Sequence, residues 1–214
     1  MFKNKLLINL FVGFVKVTGA LPALIFFKPR VIRQCKKLPK PCILVSNHKS
    51  LMDFALYLIV FSLRTIRFLM AEVLFNKGAL FSKFLFALGG IKVNRDAFSF
   101  DFIGNCIEVL DNSGTLGIFP EGRLPVGGKP WPFTVSTAFI ASHSNALIVP
   151  VYTDGNYGIK KRAGVAIGEP FDLLKFKIEG LSEEEQLNHL TKVLEEKVYS
   201  LKPLLDEGKG KDAK

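Results

Sequence analysis

The feature that most limits how this chain can fold is an alternation of short apolar runs with segments of helical period. Cys42–Val45, Thr65–Ala71, Ile91–Asn94, Leu116–Phe119, Leu147–Tyr152 and Gly164–Gly168 read as strands, bounded by polar or glycine-bearing turns. Between them, Leu51–Leu63, Leu80–Leu88, Phe102–Leu110 and Phe133–His143 read as helices, with Ile103, Ile107 and Leu110 at helical spacing. Strand and helix in turn predict an α/β fold, a single layered domain whose central sheet is mostly parallel and flanked by helices. Pro150 lies inside the Leu147–Tyr152 run, which predicts an edge strand or a bulge there. Ser182-Glu183-Glu184-Glu185 is a capping box, and the helix it opens carries Leu187, Leu190, Leu194, Val198 and Leu201 as its apolar stripe.

The net charge of +10 suggests nucleic acid until it is located. Residues 1–40 hold nine basic side chains and no acidic one, so the remainder carries 20 basic and 19 acidic groups, a net of +1. The basicity coincides with the greasiest stretch, Leu6–Phe27, a pairing that points to an anionic membrane surface and away from nucleic acid. Leu6–Phe27 is long enough to span a bilayer. Lys16 near its middle, Pro22, and basic residues at both ends favour in-plane or re-entrant helices over a straight span, a buried helix or a cleaved signal. The expected organisation is a membrane-associated helical segment with a basic linker at 1–40, a catalytic domain at 41–207 and a flexible tail at 208–214. Cys35, Cys42 and Cys106 are odd in number and lack zinc spacing, which suggests a reducing compartment without a disulfide framework.

Ligands of α/β sheets gather on the loops that follow the strands. The first such loop holds Asn47, His48 and, five residues after the histidine, Asp53, the first acidic residue of the chain. A histidine accepts a proton near neutral pH, and a carboxylate behind it can orient the ring. On one regular helix residues five apart diverge by about 140°. A working pair therefore requires His48 in the turn before the helix and Asp53 on its first turns. Alone, His48 and Asp53 read equally as a capped turn, Arg95 as a solvated rim residue, and Glu121-Gly122 as a plain turn. A nucleophilic Ser46 or Ser50 is a further reading; a metal site of His48, Asp53 and Glu121 lacks the usual ligand spacing. His143 and His189 read as structural or solvated. The apolar run around Leu80–Leu88 reads as core, with the lining of an apolar channel as the alternative.

Taken together, Asn47-His48-x4-Asp53, Gly90-Ile91-Lys92-Val93-Asn94-Arg95, Phe119-Pro-Glu-Gly-Arg123 and Val149-Pro-Val151 resemble the four blocks of the glycerolipid acyltransferases, best known as 1-acylglycerol-3-phosphate acyltransferases. The resemblance covers residues 46 to about 155 and departs in the third block, where the family has a residue between the glycine and the arginine. Either Arg123 reaches the site from a shifted loop, or its role passes to Lys129 or Arg95. The resemblance implies transfer of a fatty acyl group from a thioester, acyl-CoA or acyl-acyl carrier protein, to the hydroxyl of 1-acylglycerol 3-phosphate, giving phosphatidate in phospholipid biosynthesis. Glycerol 3-phosphate or another lysolipid is the alternative acceptor, and a non-catalytic membrane-surface protein the alternative class. In this reading His48 is the general base and Asp53 orients it. Asn47, Arg95, Glu121, Gly122 and Arg123 meet substrate, with the arginines on phosphate and Glu121 on an acceptor hydroxyl. No cofactor or metal is expected, the lysophospholipid and acyl carrier are the partners, and the expected place is the cytoplasmic face of the cell membrane.

Overall fold

The computed structural model describes residues 10, 13–14, 25–94, 101–158 and 161–209. Seven strands form one sheet: β1 Arg30–Arg33, β2 Cys42–Ser46, β3 Ile66–Ala71, β4 Ile91–Val93, β5 Thr115–Ile118, β6 Leu147–Thr153 and β7 Gly164–Ile167. Their order is β1-β7-β6-β2-β5-β3-β4, with every neighbouring pair parallel except β6 and β7. The helices described are α1 Met52–Val60, α2 Glu72–Phe75, α3 Ala79–Ala87, α4 Asp101–Asp111, α5 Ser136–Ser142, α6 Glu183–Tyr199 and α7 Lys202–Lys209.

Strand β2 is buried along its whole length, as its unbroken apolar run demands of a strand covered on both faces. Side chains alternate across the sheet. Cys42 and Leu44 therefore join one core with Leu56 and Tyr57 of α1, and Ile43 and Val45 join the other with Leu110, Ile140, Leu190 and Leu194 from α4, α5 and α6. The result is a three-layer α/β domain. The capping box at Ser182 and Glu185 forms, and α6 buries Leu190, Leu194 and Val198 as its stripe predicts.

Four local expectations change. Arg30–Arg33, read as linker, is an edge strand paired with Gly164–Ile167, so the sheet begins upstream of residue 41. The chain after Leu201 stays helical through Lys209, past the tail boundary at 208. Strand β6 lies inside the sheet despite Pro150. The β7 ladder begins only at Val151, and Ile148 pairs instead with Phe171 (N–H to O 2.8 Å, and 2.9 Å in return), so the missing N–H faces a break between the two. Leu80–Leu88 is not core: only Leu85 of α3, and Leu88 after it, are buried. Leu6–Phe27 falls almost wholly outside the described residues, among which no helix is long and apolar enough to cross a membrane.

The strand order positions the site. The connection after β2 passes over β5 to reach β3, whereas the chain after β5 crosses β2 in the other direction to reach β6. Between the carboxyl ends of β2 and β5 the chain leaves in opposite senses, which opens a crevice of the kind where α/β sheets bind ligands. His48 leaves one of these strand ends and Phe119 the other.

Candidate active site

His48 sits in the turn between β2 and α1, and Asp53 on the first turn of α1, which meets the geometric condition for a pair. The Nδ1 of His48 lies 2.7 Å from Oδ2 of Asp53. That oxygen also accepts the backbone N–H of Lys49 (2.6 Å) and of Ser50 (2.9 Å). The hydroxyl of Tyr157 donates to the other oxygen, Oδ1. Asp53 is fully buried. Its two oxygens, buried among donors, serve as acceptors. Oδ2 accepts the Nδ1–H of His48 in the tautomer that leaves Nε2 with a free lone pair. Asp53 thus performs both tasks considered for it: it closes the turn and it orients the ring.

Packing holds the ring from the side. Phe119, the first residue after β5, stacks on the imidazole with centroids 4.4 Å apart and planes 18° apart. Phe119 is itself stacked on Tyr57 and Phe68. Phe68 has room because its partner in the ladder is Gly117, where a Cβ would lie 2.4 Å from the Phe68 ring. The histidine side chain is 14% exposed, enough for one edge to meet a substrate while the rest stays packed.

Glu121 joins the two loops. Its Oε1 accepts the backbone N–H of His48 at 3.0 Å and the hydroxyl of Tyr199, from α6, at 3.3 Å. It is 2% exposed, and Oε2 makes no hydrogen bond among the described residues. Burial pushes its carboxyl above the usual range, opposed in part by the His48 N–H. Burial, and then the neighbouring Glu121 charge, push Tyr199 up in turn, so the phenol stays a donor. Gly122 adopts φ +67°, and its N–H returns to the Phe119 carbonyl (3.0 Å) in a tight turn with open space where a Cβ would stand.

The remaining expected residues fall elsewhere. Asn47 is fully buried and both ends of its amide are engaged: Nδ2 donates to the Thr153 carbonyl (2.9 Å) and Oδ1 accepts the Thr153 N–H (2.8 Å). It clamps the ends of β2 and β6 together from a fully buried position. Arg123 is exposed, its guanidinium 4.9 Å over the Trp131 ring. Lys129 closes a two-residue hairpin with Val126 through Gly127 and Gly128, both at positive φ. Arg95 lies outside the described residues. Ser46 is buried, shares a hydrogen bond with Tyr57 and donates to the Asn47 carbonyl, and Ser50 Oγ accepts from Met52 N–H at 3.2 Å. Neither serine is bonded to His48. His143 and His189 bind backbone carbonyls, of Phe139 and Phe176, as structural histidines do. Among the described residues no three His, Cys, Asp or Glu side chains are gathered to hold a metal, and the three thiols are free and buried.

Tyr157, Tyr199, Tyr57 and Thr153 escaped the sequence reading. Tyr157 reaches Asp53 from 104 positions away, and neither period nor charge marks it. Burial, and then the Asp53 charge, hold its hydroxyl protonated.

A sequence model of the Acyltransferase family matches residues 29–154, more than half of the chain. No curated protein gave a match. Among solved structures, the 1-acyl-sn-glycerophosphate (LPA) acyltransferase PlsC from Thermotoga maritima is similar, with 25% sequence identity and a TM-score of 0.61 over 91% of this chain and 79% of that one. With the matched span and this likeness in agreement, the chain belongs to the acyltransferase family, among the glycerolipid acyltransferases that resemble lysophosphatidate acyltransferase.

Proposed function

We propose that this acyltransferase moves a fatty acyl group from a thioester to the free hydroxyl of 1-acylglycerol 3-phosphate, forming phosphatidate at the cytoplasmic face of the membrane. The observation that carries the chemistry is the 2.7 Å contact of His48 Nδ1 with a buried carboxylate already saturated by other donors. An alcohol attacks a thioester only as its proton leaves. In this reading Nε2 of His48 takes the acceptor's hydroxyl proton while the oxygen forms its bond to the thioester carbonyl carbon. The tetrahedral intermediate collapses, the C–S bond breaks, and the imidazolium returns the proton to the departing thiolate. Asp53 stabilises the imidazolium without becoming protonated.

The acceptor assignment is supported by the likeness to the PlsC enzyme. The donor, acyl-CoA or acyl-acyl carrier protein, and the membrane attachment through residues 1–40 belong to the same proposal. Arg95 and Arg123 are proposed to bind the acceptor's phosphate, Glu121 an acceptor hydroxyl through its unbonded Oε2, and Gly122 to let substrate approach the chain. Asn47 enters as the residue that holds the His48 turn against β6. The test is an assay of the purified full chain in mixed micelles, with each donor against 1-acylglycerol 3-phosphate, glycerol 3-phosphate and uncharged lysolipids. The expected outcome is phosphatidate and free thiol in equal amounts, with Arg95→Ala raising the acceptor KM more than it lowers kcat. Preference for glycerol 3-phosphate or for an uncharged lysolipid would contradict the proposal.

A further inference from the structure

The segment between β3 and β4 is apolar, yet much of it faces outward. Leu80 is 84% exposed, Val73 64% and Phe81 41%. Leu80, Phe81 and Phe84 fall within about 100° of one another around α3, and Leu85, about 40° beyond Phe81, is where the helix turns into the core. The Phe81 and Phe84 rings stack on each other, centroids 6.3 Å apart. Exposed Lys77 and Lys83 border this arc. Glu72 is the one acidic residue from Phe54 to Asn94, and Lys92 neutralises it at 2.7 Å.

The location matters as much as the chemistry. The last residue of β3, Ala71, leads directly into α2 at Glu72. Val73 and the start of α3 therefore lie at the carboxyl end of the parallel strands, the end from which His48 and Phe119 emerge. Leu51 and Met52, just after the His48 turn, are exposed on the same end, at 55% and 42%.

We propose that this rim, Val73, Leu80 and Phe81 bordered by Lys77 and Lys83, is a docking surface for an anionic lipid bilayer, separate from the 1–40 segment. An apolar arc flanked by lysines matches an interface whose acyl region takes the arc and whose headgroups take the ammonium groups. The inference rests on the proposed lipid acceptor, since docking here brings the bilayer to the edge where His48 opens.

The test uses the full chain and vesicles of equal parts phosphatidylcholine and phosphatidylglycerol, with binding read by sedimentation. The Val73→Gln/Leu80→Gln/Phe81→Gln variant is expected to bind about tenfold more weakly, from the apolar area kept in water. The Lys77→Glu/Lys83→Glu variant is expected to lose about fivefold per lysine on these vesicles and nothing on phosphatidylcholine alone. Both variants are expected to keep their turnover of a short-chain lysophosphatidate below its critical micelle concentration. Unchanged vesicle binding in both variants would overturn the proposal. So would an altered acyl-chain preference on the monomeric substrate, which would make the arc an acyl-binding wall. If the unmodified protein acylates none of the acceptors, the proposed function falls, while the sedimentation result still decides the surface.

Discussion

The turn after β2 and the loop after β5 leave the same end of the sheet, and they are built in opposite ways. In the first, each oxygen of Asp53 is bonded, both ends of the Asn47 amide are bonded, and the His48 ring is packed on Phe119. In the second, full burial stops after Glu121. Gly122 is open, Arg123 is exposed on Trp131, and the Gly127–Gly128 hairpin projects outward. The difference matches what the proposed mechanism asks of each loop. A base must hold its lone pair within fractions of an ångström of the reacting hydroxyl, and a fully bonded network supplies that rigidity. A cation that attracts a phosphate works over a longer range and tolerates a looser setting. Glu121 joins the two, with its backbone in the open loop and its carboxylate on the His48 N–H.

Substitutions across the two loops can break or sharpen this contrast. Asp53→Asn removes the charge from a group whose Oδ2 accepts three donors, and its amide nitrogen cannot accept the Nδ1–H of His48. It is expected to lower kcat about 10³-fold, measured by thiol release. Tyr157→Phe removes one donor from Asp53 and leaves the ring that packs edge-on against Phe27. We expect kcat to fall about tenfold with KM little changed, the sign of a group acting through another.

Glu121→Gln tests the joint between the loops through stability. Burial raises the Glu121 carboxyl above its ordinary 4.5, so its contribution to folding is complete below that value and is lost as pH rises through the raised one. The glutamine variant has no charge to bury. Its Tm is expected to exceed that of the parent by about 2–4 °C at neutral pH, with the gap closing on acidification in thermal scans. The smallest effect belongs to the open loop. Arg123→Ala removes an exposed cation–π contact, for which about 0.5–1 kcal/mol is expected in urea unfolding. A collapse of stability there would show that the third block is as tightly built as the first.

The layered fold was legible because buried parallel strands must be mostly apolar, and β2, β5 and β6 are, with polar residues only at their ends. What misled was local. Arg30–Arg33 carries two arginines in four residues and hides a strand, because edge positions tolerate charge. Leu80–Leu88 has the composition of core and the placement of surface, which spacing alone cannot separate. In the site, His48 and Asp53 were readable since their spacing imposed a condition that coordinates could fail. Asn47 was readable as a site residue, but its role was not: whether an amide meets a ligand or Thr153 depends on which strand lies beside it. Tyr157 and Tyr199 were invisible for the same reason, since only tertiary structure brings a loop and a distant helix to these carboxylates.

In the proposed mechanism His48 removes the proton from the acceptor hydroxyl. Its most direct test is the acyl-transfer rate of purified His48→Ala, at saturating donor and acceptor, with circular dichroism and Tm confirming the parent fold. A fall in kcat of about 10²–10⁴-fold is expected. A folded variant that still transfers the acyl group at near the parent rate would contradict the account.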